Sequence, residues 1–371
     1  MATSENHMHR AGLIWICLGV IALPLAGWAE VHLDKLRLPS GFAISVLTDK
    51  VDNARQLALG DSGTLFVGTQ REGKVYAIPN ALQPVSGDVV TLARGLSMPS
   101  GVAFRGGDLY VGALGTVLRF RDIESHLVSN APAEVVTDNL PNATHHGWKY
   151  LRFAPDGALY VPVGAPCNIC RSEDPRFASI LRMNPDSGET TVFARGIRNT
   201  LGFAWHPQTG HLWFTDNGAD LMGDDIPAEE VNVATQPGQD FGYPQIHAGD
   251  IPDPKFGIDA DPASYVQPVF KIQAHSAALG VDFYTGQQFP NEYRNALFIA
   301  EHGSWNRSSK VGYQISVLIE REAGMHYAPF ISGWLDGQNN WGRPNDVLMA
   351  PDGSLLISDD QAGAVYRVTY R

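Results

Sequence analysis

The stretch Leu57-Ala58-Leu59-Gly60-Asp61-Ser62-Gly63-Thr64-Leu65-Phe66-Val67 sets an apolar run on each side of a short polar turn. Two such runs joined by Asp-x-Gly or Gly-Gly read as a hairpin, because glycine supplies the left-handed backbone that tight turns require. The unit recurs through the chain. Val102 to Val111 turns at Gly106-Gly107, Leu151 to Val161 at Pro155-Asp156-Gly157, and Phe203 to Phe214 at Pro207-Gln208-Thr209-Gly210. Val281 to Ile299 carries a longer insertion around Pro290, and Val347 to Ile357 turns at Pro351-Asp352-Gly353. Second runs therefore begin near Leu65, Leu109, Leu159, Leu212, Leu297 and Leu355. Third runs follow at 73–78, 115–120 and 363–368. No amphipathic pattern extends beyond about two helical turns.

Six similar strand–turn–strand units predict an all-β fold, a six-bladed β-propeller of four-stranded antiparallel blades. A two-sheet sandwich array does not account for the repetition. The run 42–47 would complete the last blade and close the ring. No Pro/Ser-rich linker divides the chain, so residues 30–371 read as one domain. Loops leaving the second strands should gather at one mouth of the central channel, where a rigid scaffold commonly presents its functional residues.

Composition agrees. The 38 glycines and 24 prolines of 371 residues act as punctuation between strands. Hydrophobic residues at 44% and charged residues at 18% describe a chain with a core. A net charge of -12 argues against a nucleic-acid partner, which needs a basic surface. Three cysteines exclude a disulfide-dense scaffold.

Residues 1–29 read as a secretory signal, with Arg10 as its basic end, an apolar segment 11–26 and small residues at Gly27-Trp28-Ala29. A membrane anchor is the rival reading, but Pro24 interrupts a segment too short to span. No long apolar run follows, so no membrane span is expected in the mature chain, which should be periplasmic or secreted.

Several clusters could carry chemistry. His145-His146-Gly147 precedes the third unit, and an imidazole there can serve as a general base or simply pack. Arg198-Asn199 lies between Gly196 and Gly202; a guanidinium beside an amide can take a carboxylate or quinone oxygen in bidentate fashion, or tie loops together. The oxygen-rich run Asp216-Asn217-Gly218-Ala219-Asp220, then Asp224, Asp225, Glu229 and Glu230, suits Ca²⁺ without matching an EF-hand; a solvated acidic loop is the plain alternative. Cys167-Asn168-Ile169-Cys170 lacks the histidine of a haem c site and a second cysteine pair for zinc. In an exported chain a local disulfide is its simplest reading, ahead of a redox-active dithiol. The segments 301–307 and 342–346 flank strands of later units and could line the same mouth; if the propeller directs Arg198, Arg307, Lys310 and Arg343 there, they would form a local anion site.

Taken together, these residues resemble the soluble PQQ-dependent glucose/sorbosone dehydrogenase family, closest to its aldose- and sorbosone-dehydrogenase-like members. The likeness runs from Leu38-Pro39-Ser40-Gly41-Phe42 to Val368. It is carried by His146 ahead of Pro155-Asp156-Gly157, Arg198-Asn199 before Gly202, Gly218 with the acidic run to Glu230-Val231-Asn232, the loop 238–244, and Gly342-Arg343-Pro344-Asn345-Asp346-Val347. The resemblance implies a six-bladed propeller that binds pyrroloquinoline quinone (PQQ) and Ca²⁺ and oxidises an aldose or related sugar aldehyde. His146 would be the base for the anomeric hydroxyl. Arg198 and Asn199 would bind the quinone, Gly218 and Ala219 would offer carbonyls to Ca²⁺, and Arg343, with Arg307 or Lys310, would meet cofactor carboxylates. The resemblance leaves the electron acceptor unknown, since no haem motif is present to name one.

The sequence departs from the glucose-oxidising members in places. Asn345 stands where they carry a second arginine, Ala219 where they carry proline, and no glutamine matches theirs around Leu96-Ser97-Met98-Pro99-Ser100. The CxxC and His302-Gly303-Ser304-Trp305 fit the sorbosone-like branch. Two other readings suit a propeller: a Ca²⁺-dependent lactonase-type hydrolase, and a non-catalytic binding module.

Overall fold

The computed structural model describes residues 1, 30–83 and 86–371. The expected leader, Met1 apart, lies outside them. Six antiparallel sheets follow one another around a ring. Blade 1 holds strands Ala54–Leu59, Leu65–Thr69, Val75–Ile78 and Val90–Ala93. Blade 2 holds Gly101–Arg105, Asp108–Gly112, Val117–Phe120 and Glu134–Thr137. Blade 3 holds Arg152–Phe153, Leu159–Val163, Ser179–Met183 and Thr190–Arg195. Blade 4 holds Phe203–Trp205, Leu212–Asp216, Glu229–Ala234 and Phe270–Ile272. Blade 5 holds Ala278–Phe283, Leu297–Glu301, Gln314–Arg321 and Gly324–Ile331. Blade 6 holds Pro344–Met349, Leu355–Asp359, Ala364–Tyr370 and, from the other end of the chain, Phe42–Thr48.

The ring closes as the hydrophobic pattern requires. Phe42–Thr48 pairs antiparallel with Ala364–Tyr370, from Phe42 opposite Tyr370 to Thr48 opposite Val365. The N-terminal strand thus becomes the outer strand of the last blade and ties the two ends of the chain into one sheet. The expected second strands all form, starting within a residue of the six leucines. Gly157 and Gly353 take φ of 89° and 84° in their turns, a backbone region that side chains with a Cβ avoid.

All five residues of each second strand are buried. Their alternate side chains serve the two neighbouring blades. Leu65 and Val67 pack toward blade 6 with Leu356 and Val365. Phe66 packs toward blade 2 with Val102, Leu109 and Val111. The apolar clusters among the described residues sit one at each blade junction. Each second strand therefore carries an unbroken apolar run of at least three residues.

Blade 3 departs from the four-stranded expectation. Gln239–Asp240, from the long connection within blade 4, adds a fifth strand parallel to Thr190–Arg195. Arg195 Nε donates to Asp240 Oδ2 at 2.9 Å across this seam. The excursion also carries Tyr243 toward the CxxC loop. Among the described residues no helix is long and apolar enough to cross a membrane.

Candidate active site

In each antiparallel blade, the entry to the first strand and the exit from the second lie at the same end. That end carries a cavity of about 680 Å³. Entry residues lining it include Arg55, His145, His146, Arg198, Asn199, His275 and Arg343. Exit residues lining it include Gln70, Arg71, Asn217, Gly218, His302 and Trp305.

His146 is 7% exposed and adopts φ of 50°, an uncommon backbone for a residue with a Cβ, of the kind that clusters at functional sites. Its Nδ1 lies 3.0 Å from the Ala165 carbonyl. The Nδ1–H tautomer donates there and leaves Nε2 with a lone pair. Burial first, then Arg198 and His145, hold its pKa down to about 2, so the imidazole is neutral at working pH. A Cβ on Gly164 would lie 2.5 Å from the His146 Cβ; glycine there permits the close approach.

Ala165 joins this imidazole to Arg198, because its N–H donates to the Arg198 carbonyl at 2.8 Å. The Arg198–Asn199 loop is anchored on one buried carboxylate: Asp216 accepts the Arg198 N–H at 2.8 Å and the Asn199 N–H at 2.6 Å. The Arg198 side chain is 4% exposed. Its Nε donates to the Asn168 carbonyl, its Nη1 to the Asn217 carbonyl, and its Nη2 to Asn168 Oδ1 and Asp220 Oδ2. A guanidinium has five N–H groups. One, on Nη1, is left for a ligand, so the bidentate grip expected of Arg198 is not available to it alone.

Across the cavity a second cluster is built on Asp360, whose side chain is fully buried. Arg55 Nη2 lies 2.8 Å from Asp360 Oδ2, and His302 Nε2 and Arg343 Nε lie 3.0 Å from Oδ1. Burial opposes ionisation of this carboxyl, yet His302, Arg55 and Arg343 together hold it well below the ordinary range. Arg55 Nε and Trp148 Nε1 are buried donors with no partner in the structure, and both residues line the cavity.

The oxygen-rich run divides. Gly218 lines the cavity, its N–H donating to Glu229 Oε2 at 3.3 Å. Asn217 Nδ2 donates to the same oxygen at 2.9 Å, and burial pushes the Glu229 carboxyl up to about 8. Ala219 is fully buried and faces a void of about 10 Å³ beside Asp216 and Glu230.

Two expected ligands stand aside. Arg307 is absent from the cavity lining; it turns to the acidic loop, donating to the Asp224 carbonyl and to Asp225 Oδ1. Lys310 Nζ donates to Asn340 Oδ1 at 2.7 Å and is likewise outside the lining. Asn345 is buried away from the cavity. Cys167 and Cys170 form a disulfide, their Cα atoms 6.1 Å apart.

Sequence reading missed Arg55, Gln70, Arg71, Asn168 and Asp360. A positional signal existed. Gln70, Asn217, His302 and Asp360 each directly follow a second strand, and Arg55, like Arg198 and Arg343, sits at the entry to a first strand.

The ring of six blades thus carries, at one end, a cavity lined by a buried neutral imidazole and by several arginines. The glucose/sorbosone dehydrogenase family model matches residues 112–367. An uncharacterized protein of Borreliella burgdorferi is 30% identical over 358 residues, covering 92% of this chain and 93% of that protein. Among solved structures, the calcium structure of a Trichoderma reesei carbohydrate-active enzyme of family AA12 superposes with a TM-score of 0.74 at 19% identity, covering 93% of this chain and 100% of that one. The holo PQQ domain of Coprinopsis cinerea pyranose dehydrogenase gives 0.72 at 17%, covering 90% and 97%. These two likenesses show the shared fold. The chain belongs to the glucose/sorbosone dehydrogenase family.

Proposed function

We propose that this chain is an exported, PQQ- and Ca²⁺-dependent dehydrogenase of an aldose or related sugar aldehyde. The observation that carries the reading is the pairing, across one cavity, of a neutral His146 with an arginine wall of Arg55, Arg71 and Arg343. The residues suit the cofactor: a polycarboxylate quinone needs cationic walls, and the unpartnered Arg55 Nε and Trp148 Nε1 are donors awaiting an acceptor. Arg55, Arg71 and Arg343 would take carboxylates, while the remaining Arg198 N–H and Asn199 would hold the quinone edge. Main-chain oxygens of Gly218 and Ala219 are the candidates for Ca²⁺, a cation that favours oxygen ligands.

When bound, PQQ supplies a two-electron acceptor for the hydride of the anomeric carbon. His146 Nε2 receives the proton of the anomeric hydroxyl, and its low basicity in the resting site keeps it unprotonated beforehand. Ala165 fixes the tautomer by accepting from Nδ1. Arg198, fixed and charged, stabilises negative charge developing beside the base.

Reconstitution tests this. The purified chain is given PQQ with Ca²⁺, and quinone absorbance and aldose-dependent dye reduction are followed. Both signals are expected. No binding at micromolar PQQ with Ca²⁺ sinks the reading, and lactone hydrolysis with Ca²⁺ alone replaces it with a hydrolase.

A further inference from the structure

We propose that Asn168 is the positioning residue for Arg198, and that the Cys167–Cys170 disulfide holds Asn168 in register. The side chain of Asn168 grips Asp220 at two main-chain points: Oδ1 accepts the Asp220 N–H and Nδ2 donates to the Asp220 carbonyl, both at 2.9 Å. The same Oδ1 accepts Arg198 Nη2 at 2.7 Å, and the Asn168 carbonyl accepts Arg198 Nε at 2.9 Å. Asp220 closes the triangle by accepting Arg198 Nη2 at 2.6 Å. The amide side chain offers an acceptor and a donor on two separate atoms, one for each main-chain group of Asp220. Aspartate would lose the donor and add a charge beside Asp220.

The loop that carries Asn168 has little else to fix it. Among the described residues, 166–173 make no backbone–backbone hydrogen bond outside strands. Two substitutes do the holding. The disulfide pins the backbone on either side of Asn168. The Tyr243 hydroxyl accepts the Cys170 N–H at 3.0 Å and donates to the Asn168 carbonyl at 3.3 Å. Three parts of the chain therefore converge on a single guanidinium with one N–H to spare. Where that N–H points is set by a loop that never touches the cavity.

The test reads Arg198 directly and needs no cofactor. The Nε–H of Arg198 is buried and hydrogen-bonded, so its exchange with solvent, followed by ¹⁵N NMR and assigned with Arg198→Lys, should be slow in the oxidised chain. In Asn168→Ala, and in the chain with its disulfide reduced by a phosphine under native conditions, exchange should quicken on the order of tenfold or more, the factor expected for losing one charge-assisted hydrogen bond. Thermal unfolding should change little. Unchanged exchange in both overturns the proposal. Should Asn168→Ala fail to fold, the reduced wild-type chain decides alone. A second arm rests on the function proposed above: the Kd for PQQ, from tryptophan quenching, should rise on the order of tenfold in the same two forms. If wild type binds no PQQ, that functional reading fails while the exchange measurement still decides this one.

Discussion

The cavity has two walls, and they hold their arginines by different means. On the His146 wall, Arg198 is fixed by neutral acceptors, the carbonyls of Asn168 and Asn217 and the amide of Asn168, with one partly exposed carboxylate, Asp220. On the opposite wall, one fully buried carboxylate, Asp360, gathers Arg55, His302 and Arg343. The first arrangement uses up a guanidinium's donors and sets direction. The second keeps net positive charge in the cavity, because two permanent cations share one anion. On the function proposed above, the difference would divide labour: the first wall would orient the proposed base and one N–H, and the second would attract the anionic cofactor.

The sharpest way to break this division is to remove the proposed base. His146→Gln should lower kcat by roughly 10²–10⁴ and leave the Kd for PQQ nearly unchanged, with stopped-flow turnover and fluorescence titration measured side by side. A large loss of binding would mean the walls do not divide the work.

Next comes Asp360→Asn. It leaves the buried Arg55 without a countercharge and should cost about 3–5 kcal/mol in urea unfolding. The sign with pH follows from the lowered pKa. The folded chain keeps Asp360 ionised where the unfolded chain protonates it, so its contribution is present above the ordinary value of 3.8 and lost as pH falls below it. The gap between wild type and variant should narrow in acid. A gap that stays constant would remove Asp360 as the wall's anchor.

Gly164→Ala acts on the first wall alone. The added Cβ displaces His146, and a displacement near 1 Å should cost about 10²-fold in kcat. The same Cβ would lie 3.1 Å from Asn199 Oδ1, so the Kd for PQQ should rise, but by far less than kcat falls. Equal activity would show that the approach of residues 146 and 164 is incidental.

Arg343→Ala acts on the second wall and is milder, since its side chain is 36% exposed. The Kd for PQQ should rise on the order of tenfold, with kcat at saturation kept, as expected for one charge-assisted contact. The least perturbing measurement is a titration. The His146 ring should stay neutral down to pH 4 in ¹³C NMR, because its pKa lies near 2. The unfolded chain takes that proton below about 6.5, so this histidine costs stability as pH falls from there. A midpoint near 6.5 in the folded chain would show a solvated ring and a different base.

Much of the fold was legible in the sequence because its rules are local. Turn glycines and apolar runs repeat within single hairpins, and the run 42–47 finds its place because the last blade lacks a strand. His146, Arg198, Asn199, Gly218 and Arg343 were legible as cavity residues because each borders a first or second strand. Arg307 and Lys310 were misplaced because charge and proximity say nothing of direction: one turns to the acidic loop, the other to Asn340. Asn168 gave no signal of its own, since its role exists only relative to Arg198 and Asp220.

By itself, the sequence determined six hairpin units, a closed ring and one end at which their loops meet. Period-two patterning and turn chemistry act over a few residues and need no partner to be read. The tertiary structure alone decided that Asp360 would hold Arg55, His302 and Arg343, drawn from blades 1, 5 and 6, and that Asn168 would hold Arg198. Contacts between distant segments depend on how neighbouring blades pack, and burial then fixes which charges pair and which ring stays neutral.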